Sequence, residues 1–233
     1  MKNETIELLY NRKSVRAYEK REIPEEDVQK ILRAAIEAPT AGNMTLWSAI
    51  RVTDEAKKKR LSETCDNQPF IASAPLVLVF CADYKRWYDL FATLDLGEEL
   101  RKPGEGDLML AMMDTIIAAH ASVVAADALG CGSCYIGDII ERCEQQREIL
   151  GLPEYVKPVC MVVYGIPTEF QKTRKKPARL KRMISYLKTN ISRAIPNRCG
   201  VCSKTVRISM VKSWNAGSRR TASANGIAIF LAR

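Results

Sequence analysis

PLVLVFC, residues 75–81, is apolar at nearly every position over the length of one strand. Successive strand side chains point to opposite faces, so a strand with one wet face alternates and an unbroken run marks a strand covered on both. KPVCMVVYGIP (157–167) repeats the pattern and ends in a turn. Two doubly covered strands need helices on either side, and helix-period segments do alternate with strands along this chain. The expected fold is α+β, a central mixed β-sheet flanked by helices.

The helices follow from spacing and caps. After Pro24, EEDVQKILRAAIEA sets Val28, Ile31, Leu32 and Ala35 on one face, with acids in the first turn where the helix dipole favours them. Residues 3–11 form a short helix, 55–65 a solvated one and 138–151 another, closed by Gly151. The longest helical signal runs from Asp107 to Leu129, with alanine on nearly every face, so another helix or a second subunit can approach closely. WSAIRV (47–52) is a strand. TAGN (40–43) and CGSCYIGD (131–138) are expected as loops, and 85–101 as a peripheral helix or lid carrying Trp87, Tyr88 and Phe91.

The chain has 233 residues and is 47% hydrophobic, enough for a proper core. Its longest apolar runs stop short of the ~20 residues of a membrane helix, and MKNETIELLY lacks a signal-peptide core. No membrane is expected, and eight scattered cysteines suit a reducing, cytoplasmic setting better than a disulfide frame. The net charge of +9 is unevenly placed. Residues 1–188 hold 28 Lys and Arg against all 27 Asp and Glu, whereas 189–233 hold 8 basic residues and no acid. A near-neutral body gives little ground for nucleic acid as a partner; only the last segment offers it.

Two basic clusters stand out. RKSVR (12–16) and R-K-K-P-A-R (174–179) lie at opposite ends of the body and can converge on one phosphate, Arg giving forked donors and Lys a point charge. CGSCY (131–135) has the letters of a thiol-protease nucleophile. That chemistry takes its His from downstream, and His120, the chain's one histidine, lies upstream as a core or interface residue. Structural cysteines are the favoured reading, and Cys199 with Cys202 makes only half a zinc site. There is no Walker A loop and no G-x-G-x-x-G after a first strand.

Five ordered blocks, RKSVRAY (12–18), APTAGNMTLW (38–47), PFIASAPLVLVFCADYKRWYDLF (69–91), ALGCGSCYIGDI (128–139) and the stretch from Leu150 to Arg179, resemble the nitroreductase family of FMN-dependent NAD(P)H oxidoreductases. The resemblance implies a nitroreductase-like fold, an intertwined homodimer with FMN at the interface, and a small electron-poor acceptor, a nitroaromatic or quinone, reduced in alternation with NAD(P)H oxidation. It implies Arg12 and Arg16 at the FMN phosphate and ring N1/O2 edge, with Ser14 between them and Lys13 assisting. Pro39, Thr40 and Asn43 would come from the other subunit, Asn67 or Gln68 would address the pyrimidine edge, and Cys134, Tyr135, Ile136 and Gly137 would present backbone to the ring. Lys176 and Arg179, with Arg174 as a rival, would close on the phosphate. No catalytic acid or nucleophile and no metal are implied, because the flavin carries the chemistry.

The implied organisation is an FMN-binding domain over 1–188 followed by a basic, atypical segment over 189–233. That segment replaces the family's helical arm by a basic tail or by the product of a shifted reading frame. Two rivals accompany the main reading: a flavin-binding module without turnover, and a nucleic-acid-binding protein acting through that segment.

Overall fold

The computed structural model describes residues 3–94 and 100–179. Met1–Lys176 form one compact unit, and the described residues from Pro177 on fall outside it. The expected boundary at 188/189 lies outside the described residues.

Four strands make the sheet in the order β1 (Trp47–Arg51), β2 (Leu76–Asp83), β4 (Val156–Gly165), β3 (Gly132–Ile136), and each neighbouring pair is antiparallel. The expected mixing of directions is confined, among the described residues, to one parallel bridge between Ser14 and Ser133. β2 and β4 are covered on both sides as their apolar runs require. Leu76, Leu78, Phe80, Cys160, Val162 and Tyr164 face one layer, built from helix α2 (Glu25–Ile36) and the long helix α6 (Glu105–Ala128). Val77, Val79, Met161 and Val163 face the other, which includes Leu61 of α3 (Glu55–Thr64), Ile71 of α4 (Pro69–Ala72) and Ile149 of α7 (Cys143–Leu150).

Helices α1 (Glu4–Asn11), α5 (Lys85–Ala92) and α8 (Glu169–Thr173), with one 3-10 turn at Ala41–Asn43 inside the TAGN loop, complete the described elements. Two expectations change. CGSCYIGD is not a loop: its centre is β3, since Ser133, Cys134 and Tyr135 pair with Tyr164, Val163 and Val162 of β4. The helix expected from 138 begins only at Cys143, after a turn at 138–142. By length and composition α6 could cross a membrane. Its Ala111, Asp114, Ala118, Ala119, Val123 and Ala126 are buried against this protein's own core. A stripe on its other side, Met109, Met113, Ile116 and Ile117, is exposed at 66, 56, 44 and 42%.

Candidate functional site

β3 is an edge strand, and the RKSVRAY segment lies along its open side. Ser14 bridges Ser133, the Val15 N–H donates to the Ser133 carbonyl at 2.8 Å, and Tyr18 bridges Pro167. Two glycines permit this approach. A Cβ on Gly132 would stand 2.5 Å from Val15 Cγ2, and one on Gly165 would stand 2.6 Å from the Tyr18 ring, both inside contact distance. The Tyr18 hydroxyl donates back to the Val15 carbonyl at 2.7 Å, which pins the turn of the segment.

The second basic cluster arrives at the same place. Arg174 Nη2 donates to the Ser14 carbonyl at 2.6 Å, and Lys13 Nζ donates to the carbonyls of Lys172 and Arg174 at 2.8 and 2.6 Å. Lys176 Nζ donates to the Tyr10 carbonyl. The clusters thus converge, although the two lysines hold backbone rather than pointing freely outward. Arg179 is exposed and falls outside the compact unit of Met1–Lys176.

Among the described residues the buried polar atoms without partners are Arg12 Nη1, Arg174 Nε, Ser133 Oγ, Gln171 Oε1, Tyr135 Oη and Asp127 Oδ2, with Arg147 Nε on α7 besides. An unpaired buried donor costs on the order of 1–3 kcal/mol, so unsatisfied arginine nitrogens from two distant segments are the signature of an anion site. Arg16 is exposed beside them. Burial raises the Cys134 thiol, while the Arg16 guanidinium and the Ser14 hydroxyl pull the other way. A protonated thiol is a poor nucleophile, and His120 is exposed on α6 rather than in the core, so the residues offer no thiolate–imidazole pair. What they can do is hold a phosphate and set a positive field beside it.

Gln68 joins this side through Asp138, just after Gly137: its Nε2 donates to Asp138 Oδ2 at 2.9 Å and to the Cys65 carbonyl at 2.8 Å. Asn67 is exposed with φ of 51°. Gln68 therefore sits within reach of the Cys134–Gly137 strand end, and Asn67 precedes it in the chain. Pro39, Thr40 and Asn43 lie elsewhere. Their loop is moored to Asp114, a residue sequence reading missed, which is 3% exposed. Asp114 accepts from the Thr40 hydroxyl, from the Ala41 N–H at 3.0 Å and from the Leu46 N–H at 3.3 Å. An acid within LMLAMMDTIIAA was the signal available for it.

Asp114 and Asp127 lie thirteen residues apart on α6. At about 1.5 Å per residue the loop moored at Asp114 lies roughly 20 Å from the end of α6, which leads through Cys131 into β3, where the RKSVRAY segment is paired. The aromatic trio is tied to the body: Trp87 Nε1 donates to the Met44 carbonyl at 2.7 Å, and the Tyr88 ring packs against that of Tyr155, tilted by 55° with centroids 5.0 Å apart. Phe91 packs on Trp87 at 5.8 Å.

The donor set suits the group implied by the sequence, since FMN ends in a dianionic phosphate and Arg12 Nη1 and Arg174 Nε are both open to an acceptor. Comparison with known proteins points the same way. The family model described as "Nitroreductase family" matches residues 9–166. The FMN reductase [NAD(P)H] of Bacillus subtilis (strain 168) is 31% identical over 191 residues, 82% of this chain and 76% of that protein. The structure of NfrA2 from B. megaterium superposes with a TM-score of 0.80 at 32% identity, covering 92% of this chain and 85% of that one. The NADPH:FMN oxidoreductase from Vibrio harveyi complexed with NAD+ gives 0.75 at 25% identity, covering 95% and 87%.

Proposed function

The chain belongs to the nitroreductase family, and from that membership we propose that it is an FMN-dependent oxidoreductase that draws electrons from NAD(P)H and passes them to a small electron-poor acceptor such as a nitroaromatic or a quinone. The observation that carries the reading is the clamp. Arg12 Nη1 and Arg174 Nε come from segments some 160 residues apart, are joined through the Arg174–Ser14 bond, and stay buried and unpaired.

FMN, when bound, supplies hydride acceptance and donation. The protein's own residues hold and bias it. Arg12 and Arg174 would take the phosphate, with Ser14 beside them. Lys13 and Lys176 brace the two segments against each other through the carbonyls they already hold. Arg16 would set positive charge at the ring edge where reduction places negative charge, which favours the reduced cofactor. Cys134, Tyr135, Ile136 and Gly137 offer backbone along the ring, and Gln68 and Asn67 its pyrimidine edge. No side chain need act as acid or nucleophile.

The reading includes a homodimer. Pro39, Thr40 and Asn43 lie about 20 Å along α6 from the end that leads to their own clamp, so a flavin they line must be the partner's. The exposed apolar stripe of α6, Met109 to Ile117, beside that loop is the surface such a dimer would cover. The six free cysteines among the described residues suit the reducing cytoplasm. Residues 1–188 would form the FMN-binding domain and 189–233 an appended basic segment.

Purified protein should be yellow, release FMN on denaturation, and bleach anaerobically with NADPH or NADH. A colourless protein that FMN cannot reconstitute would overturn the reading, and bound flavin that neither nucleotide bleaches would leave a binding module without turnover.

A further inference from the structure

Helix α5 is expected from the sequence as a peripheral lid, yet its first turn is tied to the loop before β1. Trp87 Nε1 donates to the Met44 carbonyl at 2.7 Å, and Arg86 Nη1 donates to the Thr45 carbonyl at 3.3 Å. Arg86 Nη2 donates to the Ser48 hydroxyl at 3.1 Å, and that hydroxyl is bonded to Asp83 at the end of β2. Both carbonyls stand ahead of Trp47, where the ladder with β2 begins, so the sheet does not hold them. Met44 and Trp87 also pack on the buried cluster of Leu46, Ala82, Ala111 and Val159.

Asp114 holds the same loop from α6, at Thr40, Ala41 and Leu46. The loop is thus strung between two helices, and it needs both, because Gly42, Asn43 and Thr45 adopt the left-handed conformation that side chains disfavour. Pro39 and Asn43 are left exposed. We propose, resting on the FMN and homodimer reading, that Trp87 and Arg86 are positioning residues that act across the dimer: α5 of one chain fixes the loop that lines the flavin of the other. They work through the Met44 and Thr45 carbonyls. Helix α5 is then a brace, and a change in it alters the partner's site while leaving its own chain's clamp intact.

The test uses full-length chains carrying two different tags, so that mixed dimers can be purified, and titrates each apo dimer with FMN by flavin fluorescence. Trp87→Phe keeps a ring and loses the N–H donor. Its homodimer should bind FMN about three- to tenfold more weakly than wild type, the scale of one lost hydrogen bond. In the mixed dimers Arg12→Ala empties the clamp of the chain that carries it, so a single flavin is read. Pairing a Trp87→Phe chain with an Arg12→Ala chain leaves that flavin facing an intact brace, and wild-type affinity should return. Pairing wild type with a chain that carries both changes sets the flavin against the unbraced loop, and affinity should fall as in the Trp87→Phe homodimer.

The reverse order would place the effect within one chain and overturn the proposal. Equal weakening in both mixed dimers, the mark of a general loss of fold, would overturn it too, as would a Trp87→Phe homodimer with wild-type affinity. Should Trp87→Phe not fold, Arg86→Met takes its place in the same scheme. Wild type that binds no FMN or is a monomer, or an Arg12→Ala homodimer with full affinity, would instead overturn the reading beneath the proposal.

Discussion

Asp114→Asn should loosen the loop that carries Thr40 and Asn43. The carboxylate is almost fully buried and accepts from the Thr40 hydroxyl and from the N–H groups of Ala41 and Leu46. Thr40 Oγ1 in turn accepts from the Thr45 N–H at 2.8 Å, so one acid closes the loop at both ends. The loop needs that hold, because Gly42, Asn43 and Thr45 all adopt positive φ, at 57, 57 and 50°, a region where each non-glycine residue costs about 1 kcal/mol or more. Asparagine keeps one acceptor and turns an amide against donors on the other side. Bonds to a charged acceptor are worth about 1.5–3 kcal/mol, so losing one and orphaning a donor costs on the order of 3 kcal/mol. For a chain of this size that lowers the melting temperature by roughly 6–12 °C. Thermal melts of Asp114→Asn, Thr40→Val and the double variant measure it, and the two changes should be strongly non-additive because they remove one network. A melting point within about 2 °C of wild type, or plain additivity, would refute the argument.

Gly132→Ala should cost about 1–3 kcal/mol by overpacking and weaken FMN binding together with it, because the new Cβ meets Val15 and Pro167. Gly137→Ala, with open space at its Cβ, should keep full thermal stability, so any loss of FMN there reports ligand approach alone. Arg12→Ala should reduce FMN retention more than its rate of reduction by NAD(P)H, and Arg16→Ala the reverse; equal effects in stopped-flow and retention assays would count against that division. Asp127 is held above its ordinary 3.8, so the folded apoprotein binds more protons than the unfolded chain between about pH 4 and 6. Its contribution to stability falls as pH rises through that window, and the cost persists above it. Discounted for partial exposure, Asp127→Asn should stabilise the apoprotein by about 1 kcal/mol at pH 7.5, with the gain vanishing toward pH 4 in denaturant melts.

The doubly covered strands were legible because burial on two faces writes itself as an unbroken apolar run, and Leu76 to Ala82 are indeed all buried. β3 was not, because Gly132 and Ser133 look like turn residues when only chain neighbours are considered. The glycine answers to Val15, more than a hundred residues away, a demand that exists only after the edge of the sheet has formed. The convergence of the basic clusters was legible as charge, but its mode was not. Lys13 and Lys176 spend their donors on carbonyls of the opposite segment, and the unsatisfied atoms fall to Arg12 and Arg174. Asp114 shows the same limit from the other side: an acid within an apolar helix is a visible anomaly, yet which loop it moors depends on where that loop returns.

The position of these two acids on α6 also constrains how a second copy docks. If the loop near Asp114 of one chain completes the clamp near Asp127 of another, and the reverse holds at once, the two α6 helices must cross antiparallel about a two-fold axis. A parallel arrangement would set loop against loop and clamp against clamp. For the antiparallel case the axis passes near the midpoint between residues 114 and 127, close to His120, which is exposed in line with Met113, Ile116 and Ile117. A residue at a two-fold axis meets its own copy, whereas Met109, about 16 Å further along the helix, does not. His120→Cys should therefore form a self-disulfide under mild oxidation, giving a covalent dimer on non-reducing gels, and Met109→Cys should not, with wild type as the control for native thiols. Crosslinking at 109 with none at 120 would rule out this crossing and with it the assignment of Pro39, Thr40 and Asn43 to the partner's flavin.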